Sequence, residues 1–350
     1  MHRWYCAECG SYCITYIRHY VISIILNAPE SLSATEQDIV IASVGCNITF
    51  PPDNNSNDDS IKYLQENFNS VKIIHHKQNL GYAKGYNDAI KNINTKYLVL
   101  INSDIETTKN WYQPIIDLME KQIKIAACQP KVLDYNNKNY FEYAGASGGF
   151  IDLFGYPFCR GRIFNFLESD KSQYEDDKEV FWATGACLFI KKSSFDEVNG
   201  FDEDYFAHQE EIDLCWRLKN KGYKIMVCPK SVVYHVGGGT LEKSSSFKTY
   251  LNFRNNLLTL YKNLTRTELI LILPVRFILD GIAGISFLIK KNGFSHLIAV
   301  IKAHVSFYSK LPKYFTKRKK IKQKGNLTGR LKLFILLKFH LFRIRKFSDL

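Results

Sequence analysis

Acidic residues all but vanish from the end of the chain. Residues 310–350 hold 14 Lys or Arg against one acid, Asp349, and so carry the whole net charge of +13. Residues 1–309 balance 33 basic against 33 acidic residues. The basicity therefore belongs to a tail, and the tail has no RNA-module motif, so nucleic acid is not an expected partner. A second cysteine pair is also missing. Of nine cysteines in 350 residues, only "CAECGSYC" (Cys6, Cys9, Cys13) brings any close together. A structural zinc needs a further pair, and His19 is a loose substitute, so no zinc site is expected there. Cys128, Cys187, Cys215 and Cys228 sit in apolar runs, as reduced buried thiols of a cytosolic protein do. No secretory leader is visible: "VISIIL" is short and has no cleavage site. The sequons at Asn47 and Asn263 then carry no weight. What remains is an ordinary globular balance, 46% hydrophobic and 23% charged.

Residues 21–130 alternate short β-rich runs with helical stretches. "VISIIL", "DIVIAS", "VKIIHH" and "YLVLIN" read as strands covered on both faces. "GYAKGYNDAIKNI" has helical spacing at Tyr82, Tyr86, Ala89, Ile90 and Ile93, and "WYQPIIDLMEKQ" reads as a second helix. This repetition predicts an α/β fold with a largely parallel sheet, whose ligands bind beyond the carboxyl ends of the strands. Asp104 stands at such an end. From 131 to 240, "EYAGASGGF", "LFGYPFCRGR" and "FWATGACLFI" read as loops and strands on the acceptor side of a cleft. "QEEIDLCWRLKNKGY" is a helix that buries Ile212, Cys215, Trp216 and Leu218 and stops at Gly222. "KIMVCPKSVVYHVGGG" reads as a strand pair, and "SFKTYLNFRNNLLTLYKNL" as an amphipathic helix. Residues 269–289 are long enough to span a bilayer, yet contain Arg276 and Asp280 at pairing distance. A helix packed on the body or lying at a membrane surface fits better. "GRLKLFILLKFHLFRIRKF" interleaves apolar and basic residues, the pattern of an anionic interface.

Four clusters have the makings of chemistry. "DNNSNDDS" (Asp53 to Ser60) offers short polar side chains to a base or ribose, or equally a turn and helix cap. "QNLGYAKGYNDA" offers Gly81 and Gly85 at a helix start, where a diphosphate is welcome. Asp104 is a lone acid after a strand. "FDEDYFAHQEEIDLCWR" is rich in acids. There Asp213 and Arg217 are spaced to pair on the helix, and Glu210 and Glu211 stand at its positive end.

In this order the clusters resemble the family 2 glycosyltransferases, inverting sugar transferases of the GT-A fold, especially the rhamnosyltransferase-like bacterial branch. The strings that carry the resemblance are "DNNSNDDS", "QNLGYAKGYNDAI", "LVLINSDIE", "FWATGACLFIKKSSFDEVNGFDEDYF", "EEIDLCWRLKNKGYKI" and "YHVGGGT". It implies a GT-A domain over 21–264, with a nucleotide-sugar half (21–130) and an acceptor half (131–264). A non-family extension (1–20) precedes it and a helical, basic, membrane-surface segment (265–350) follows. The resemblance also implies roles. Asp53, Asn55, Asn79, Gly81, Gly85, Asn87, Asn102 and Asp104 would bind the nucleotide-diphosphate sugar. Asp104 and His235 would hold a divalent metal, Mn2+ or Mg2+. Glu211, with Glu210 as runner-up, would be the catalytic base, and Trp182, Thr184 and Gly185 would shape the acceptor pocket. The implied reaction is sugar transfer to a glycan or lipid-linked acceptor in cell-envelope polysaccharide synthesis. The implied location is cytoplasmic, peripheral to the inner face of the membrane.

The amino end departs from that pattern. Only Ala28 to Gln37, with Pro29 among them, separate the first two strands, so the first crossover helix has no room. Pro51 and Pro52 cannot continue a central strand. The alternative expectation is a donor-impaired, non-catalytic scaffold of the same fold at a membrane.

Overall fold

The computed structural model describes three strand backbones before residue 80, and residues 80–350 apart from 103, 238–244, 290–291 and 326. The strands are β1 (Val21–Ile24), β2 (Ile39–Val44), β3 (Lys72–Ile73), β4 (Tyr97–Ile101), β5 (Ile105–Thr107), β6 (Ile125–Asp134), β7 (Gly149–Ile151), β8 (Pro157–Cys159), β9 (Arg162–Ile163), β10 (Phe166–Leu167), β11 (Lys178–Val180), β12 (Cys187–Lys191) and β13 (Lys224–His235). The helices are α1 (Gly81–Ile90), α2 (Gln113–Lys121), α3 (Lys192–Glu197), α4 (Glu210–Lys221), α5 (Ser246–Asn263), α6 (Arg266–Ser286), α7 (Gly293–Lys319) and α8 (Ile335–His340).

A nine-stranded sheet runs β11-β13-β6-β12-β4-β2-β1-β3, with β5 added beside β13. β2 pairs parallel with β4, and β6 parallel with β13. β12 runs antiparallel to both β4 and β6. Hence β2, β4, β6 and β13 all point one way, with one backward strand wedged among them. The sheet is mixed, as expected, and its long strands share one carboxyl edge. β1 lies antiparallel on β2.

β4 shows how the sequence makes a two-sided sheet. Val99 and Ile101 pack on one core with Trp111, Ile115, Met119 and Phe189. Leu98 and Leu100 face the opposite core with Tyr86, Leu188 and Trp216. Successive strand residues point to opposite faces, so a strand apolar at every position must be covered twice. The expected helices appear at α1, α2 and α4, and α4 stops at Gly222 in a left-handed turn with φ 97°. The segment expected as a strand pair is one strand, β13. Its register slips between Cys228 and Val232, because Pro229 cannot donate to the ladder and is accommodated as a bulge.

The carboxyl-terminal region extends one expectation and corrects another. α5 buries Leu251, Leu257, Leu258 and Leu260 as an amphipathic helix should, but buries Arg254, Asn255, Asn256, Thr259, Lys262 and Asn263 with them. Lys262 Nζ sits 2.6 Å from Asp202 and 2.9 Å from Asp213, all three buried, while Asp213 also pairs with Arg217 at 2.8 Å. The basic tail does not extend into solvent. Ile335 and Phe339 of α8 are buried, and Phe347 packs on Phe150 and Phe158. The small sheet β10-β9-β8-β7 thus gains an apolar cover from the chain's own end.

Breaking a buried ion pair leaves a charge stranded in a poor solvent. Lys262→Met should therefore lower unfolding free energy by about 3 kcal/mol, read from urea denaturation, although the substitution adds apolar bulk.

Candidate active site

The sheet edge brings distant residues together. β4 ends at Ile101 and β13 at His235, on the same edge. β5 then crosses to pair with β13, with Ile105 opposite His235. That register carries Asp104 to the imidazole: Asp104 Oδ1 lies 3.1 Å from His235 Nε2, and Val236 N donates to Asp104 O at 3.0 Å. Asn102 Nδ2 stands 3.4 Å from the same ring nitrogen. The backward strand β12 begins at this edge, since Cys187 opposes Ile101. The turn before it, Thr184–Gly185–Ala186, is therefore held against the Asp104 loop, and Asn102 N donates to Ala186 O at 2.9 Å.

His235 is buried between two carboxylates. Its Nδ1 lies 3.1 Å from Glu142 Oε2, off the line of a good hydrogen bond, so that contact is one of charge. Burial alone would lower its pKa, but Asp104 and Glu142 outweigh burial and push it up to about 10. Burial likewise opposes ionisation of Asp104, yet the His235 imidazolium and the Gly237 backbone hold its carboxyl below the usual range. Gly237 is required where it stands. Its φ is +70°, and a Cβ there would meet Glu142 Oε1 at 2.8 Å. Among the described residues no three metal-ligating side chains cluster. Asp104 and His235 offer one carboxylate and one ring nitrogen that could hold a cation, which would need its remaining ligands from outside this pair. Once a cation displaced the His235 proton, Glu142 would remain to orient the ring from behind.

The second group stands at the start of α4. Glu210 is buried and Glu211 half-buried, and one carboxyl oxygen of each is buried without a partner. Burial, then the neighbouring Glu211 charge, raises Glu210 well above the carboxylate range. Burial raises Glu211 to about 7. The two groups meet through Gly185, where a Cβ would lie 3.9 Å from Glu211 Cβ. Tyr82 closes the same corner by donating its hydroxyl to Gly185 O at 2.8 Å.

The loop ahead of Glu210 is strained. Phe206, His208 and Gln209 have φ of 64°, 67° and 72°, a region that costs non-glycine residues about 1–3 kcal/mol each. Asn255 of α5 holds this loop. Its Nδ2 donates to Tyr205 O, Ala207 O and His208 O at 3.0, 2.9 and 2.8 Å, and Arg254 Nη2 donates to Asp204 O and Tyr205 O. Neither Asn255 nor Glu142 stands out in the sequence. The signal for Asn255 is the polar repeat Asn255, Thr259, Asn263 on one face of an apparent surface helix. Glu142 gives no signal, because only folding brings its loop to His235.

Several sequence-expected site residues serve the fold instead. Asn87 lies with both ends of its amide on the Phe201 backbone, at 2.9 Å each. Trp182 is in the core, its ring N–H donating to Phe150 O. Thr184 is buried, with its hydroxyl donated to Ala144 O. Of the acceptor-side trio only Gly185 is half-buried at the cleft. Gly81, at φ +73°, is packed against Phe206, whose carbonyl accepts from the amides of Tyr82 and Ala83. That end of α1 is therefore capped by protein, and no described group lies within 4 Å of a Cβ built at Gly85. A short polar side chain or a glycine is as useful in clamping a loop as in binding a ligand, and here clamping won. Asp53, Asn55 and Asn79 lie outside the described residues.

The mixed α/β sheet is that of the GT-A fold, and an acid–histidine pair and a glutamate pair stand at its carboxyl edge. Residues 52–199 match the model of glycosyl transferase family 2. Similar proteins include the N-acetylglucosaminyl-diphospho-decaprenol L-rhamnosyltransferase of Mycobacterium tuberculosis, 23% identical over 52% of this chain and 64% of that protein. The low-salt glycan biosynthesis hexosyltransferase Agl10 of Haloferax volcanii is 24% identical over 51% of this chain and 57% of that protein. The chain thus spans less than two thirds of the length of these relatives. Among solved structures, GalNAc-T7 with UDP, GalNAc and Mn2+ aligns at TM-score 0.46 and 14% identity. That alignment covers 60% of this chain and 40% of that one.

Asn255→Ala removes the side-chain donor from the Ala207 and His208 carbonyls and frees the strained loop. The expected outcome is a loss of about 2–3 kcal/mol in urea unfolding. Amide exchange at 205–211 should quicken.

Proposed function

We propose that the chain is a metal-dependent inverting glycosyltransferase. It moves a sugar from a nucleotide-diphosphate donor to a glycan or lipid-linked acceptor, in cell-envelope polysaccharide synthesis at the inner face of a membrane. The observation that carries this reading is the meeting of Asp104 and His235 with Glu211 around the Gly185–Ala186 turn. The mycobacterial relative's name, with its diphospho-decaprenol-linked sugar, supports a lipid-linked acceptor.

In this reading Asp104 and His235 hold Mn2+ or Mg2+, which when bound neutralises the charge of the departing diphosphate. Asn102 sits beside them on the donor side. Glu211 takes the proton of the acceptor hydroxyl as that oxygen bonds to the anomeric carbon. The bond from the anomeric carbon to the diphosphate oxygen breaks, and its electron pair leaves on the nucleoside diphosphate. Attack opposite the leaving group inverts the anomeric centre. A base works best when its pKa is near the working pH, which is what burial does for Glu211. Neutral Glu210 beside it adds no competing charge, and the clamp on residues 205–209 keeps the carboxyl aimed.

The first test is binding and turnover with a panel of nucleotide sugars and Mn2+. If no donor binds or is hydrolysed, the scaffold reading replaces this one. Asp104→Ala should abolish metal-dependent donor binding in calorimetry while leaving the melting curve in place. The pH profile of kcat/KM should rise about tenfold per unit below pH 7 and level off above it, because the base must be ionised. The same shift has a stability consequence. Glu211 titrates higher folded than unfolded, so its ionisation weakens the fold as pH climbs from about 4.5 to about 7. At pH 8, Glu211→Gln should be more stable by about 1–2 kcal/mol, allowing for solvent screening, and inactive.

A further inference from the structure

The helix α6 is amphipathic the wrong way round for water. Between Leu269 and Ile289 its only charged residues are Arg276 and Asp280, and both are buried. Arg276 Nη2 donates to Asp280 at 2.9 Å and Nη1 to Phe154 O at 3.0 Å, with its guanidinium 4.0 Å from the Tyr156 ring centre. The outward face is a single apolar stripe: Leu271, Val275, Ile278, Ile282, Ile285 and Ile289, at alternating spacings of four and three. Ile278 is 65% exposed and Ile289 91%. Mean hydropathy reaches 2.0 in an 18-residue window within Arg266–Ile289. A water-facing helix shows the opposite pattern, and an apolar face about 30 Å long is far beyond scattered surface leucines. α7 continues it with Phe294, Ile301, Val305, Tyr308 and Phe315 on one side.

We infer that α6 and α7 together form a docking face that lies flat in the surface of an anionic lipid bilayer. Charge selects this occupant. Lys302, Lys319 and Lys320 are exposed along the same helix, and Lys319 Nζ sits 4.4 Å over the Phe315 ring. A twofold contact between copies sets those lysines against their own kind. Anionic headgroups complement them, at about 1 kcal/mol per cation near the surface. The same bonds forbid a crossing helix. Spanning would drag the Arg276–Asp280 pair and the Phe154 carbonyl into hydrocarbon, and with them the α/β body to which they tie the helix. The sequence offers residues 269–289 and the basic tail alike to a membrane surface; the tail's aromatic residues largely pack inward, and the face falls to α6 and α7.

The docking has a use that rests on the glycosyltransferase reading. Arg276 grips Phe154 O and Asn256 Nδ2 grips Gly155 O at 2.8 Å, so the loop between β7 and β8 is fixed against the docking helix. This joins the small acceptor-side sheet to the bilayer, where a lipid-linked acceptor resides.

Flotation of the full chain with vesicles tests the face without any sugar transfer. Vesicles of phosphatidylglycerol and phosphatidylethanolamine should carry the protein up, and phosphatidylcholine vesicles should carry at least tenfold less. Ile278→Glu with Ile282→Glu should cut binding to anionic vesicles at least tenfold, with an unchanged melting curve. Ile285→Glu with Ile289→Glu, near the helix end, gives the same reading should the first pair not fold. The inference is overturned if the wild type stays down with anionic vesicles, or if both folded variants float as well as it does. It is also overturned if the wild type is a dimer that these variants split, which would make the face a contact between copies. Loss of transfer with flotation intact would count against the glycosyltransferase reading alone.

Discussion

One buried ammonium organises the half of the fold that carries the glutamate pair. Lys262 reaches from α5 to Asp202 in the loop before α4 and to Asp213 within α4. A lone charge at this depth is costly, so the three groups must be in register for the protein to fold at all. Once they are, Asn255 falls two turns earlier on α5, beneath the strained loop, and Asn263 reaches Asp213 from one residue beyond. The glutamate pair inherits its position from this arrangement. The polar face of α5 is therefore the mould in which the glutamate pair is cast.

The two halves of the site use burial in opposite ways. At His235 burial is overruled, because two carboxylates favour the charged ring more than the low dielectric disfavours it. At Glu211 burial wins, because desolvation of the carboxyl outweighs the backbone amides of Glu211 and Ile212 at the helix start. The first environment suits a positive charge and the second releases or accepts a proton near neutrality. Their separation by one turn of backbone, Gly185 to Ala186, keeps the two demands from cancelling.

Much of this was legible in the sequence. Apolar runs marked β2, β4 and β12, and spacing marked α1, α2 and α4, since each element's pattern agrees with its final burial. Asp104, His235, Glu210 and Glu211 were named through the resemblance to family 2 glycosyltransferases, and the fold sets Asp104 against His235 and both glutamates at the start of α4. The illegible part is where one residue type serves two ends. Asn87, Trp182 and Thr184 look like pocket residues and act as clamps, because their hydrogen-bonding groups found backbone partners that only the tertiary fold supplies. Glu142 and Asn255 were silent for the converse reason: their partners lie roughly fifty to ninety residues away along the chain. The polarity of α6 misleads only if the charged residues are assumed to face water.

The backward strand β12 has a consequence for how such a protein can change. Running against its neighbours, it delivers the loop at its start to the edge where β4 and β13 deliver the loops at their ends. Segments far apart in the gene thus become neighbours on one rim while remaining independent in the chain. The β7–β10 excursion can be lengthened or rewritten between β6 and β12 without moving Asp104 or His235, which are pinned by the β5–β13 register. Such a layout separates what is recognised from how it is processed, and lets selection alter the first while the second stays fixed.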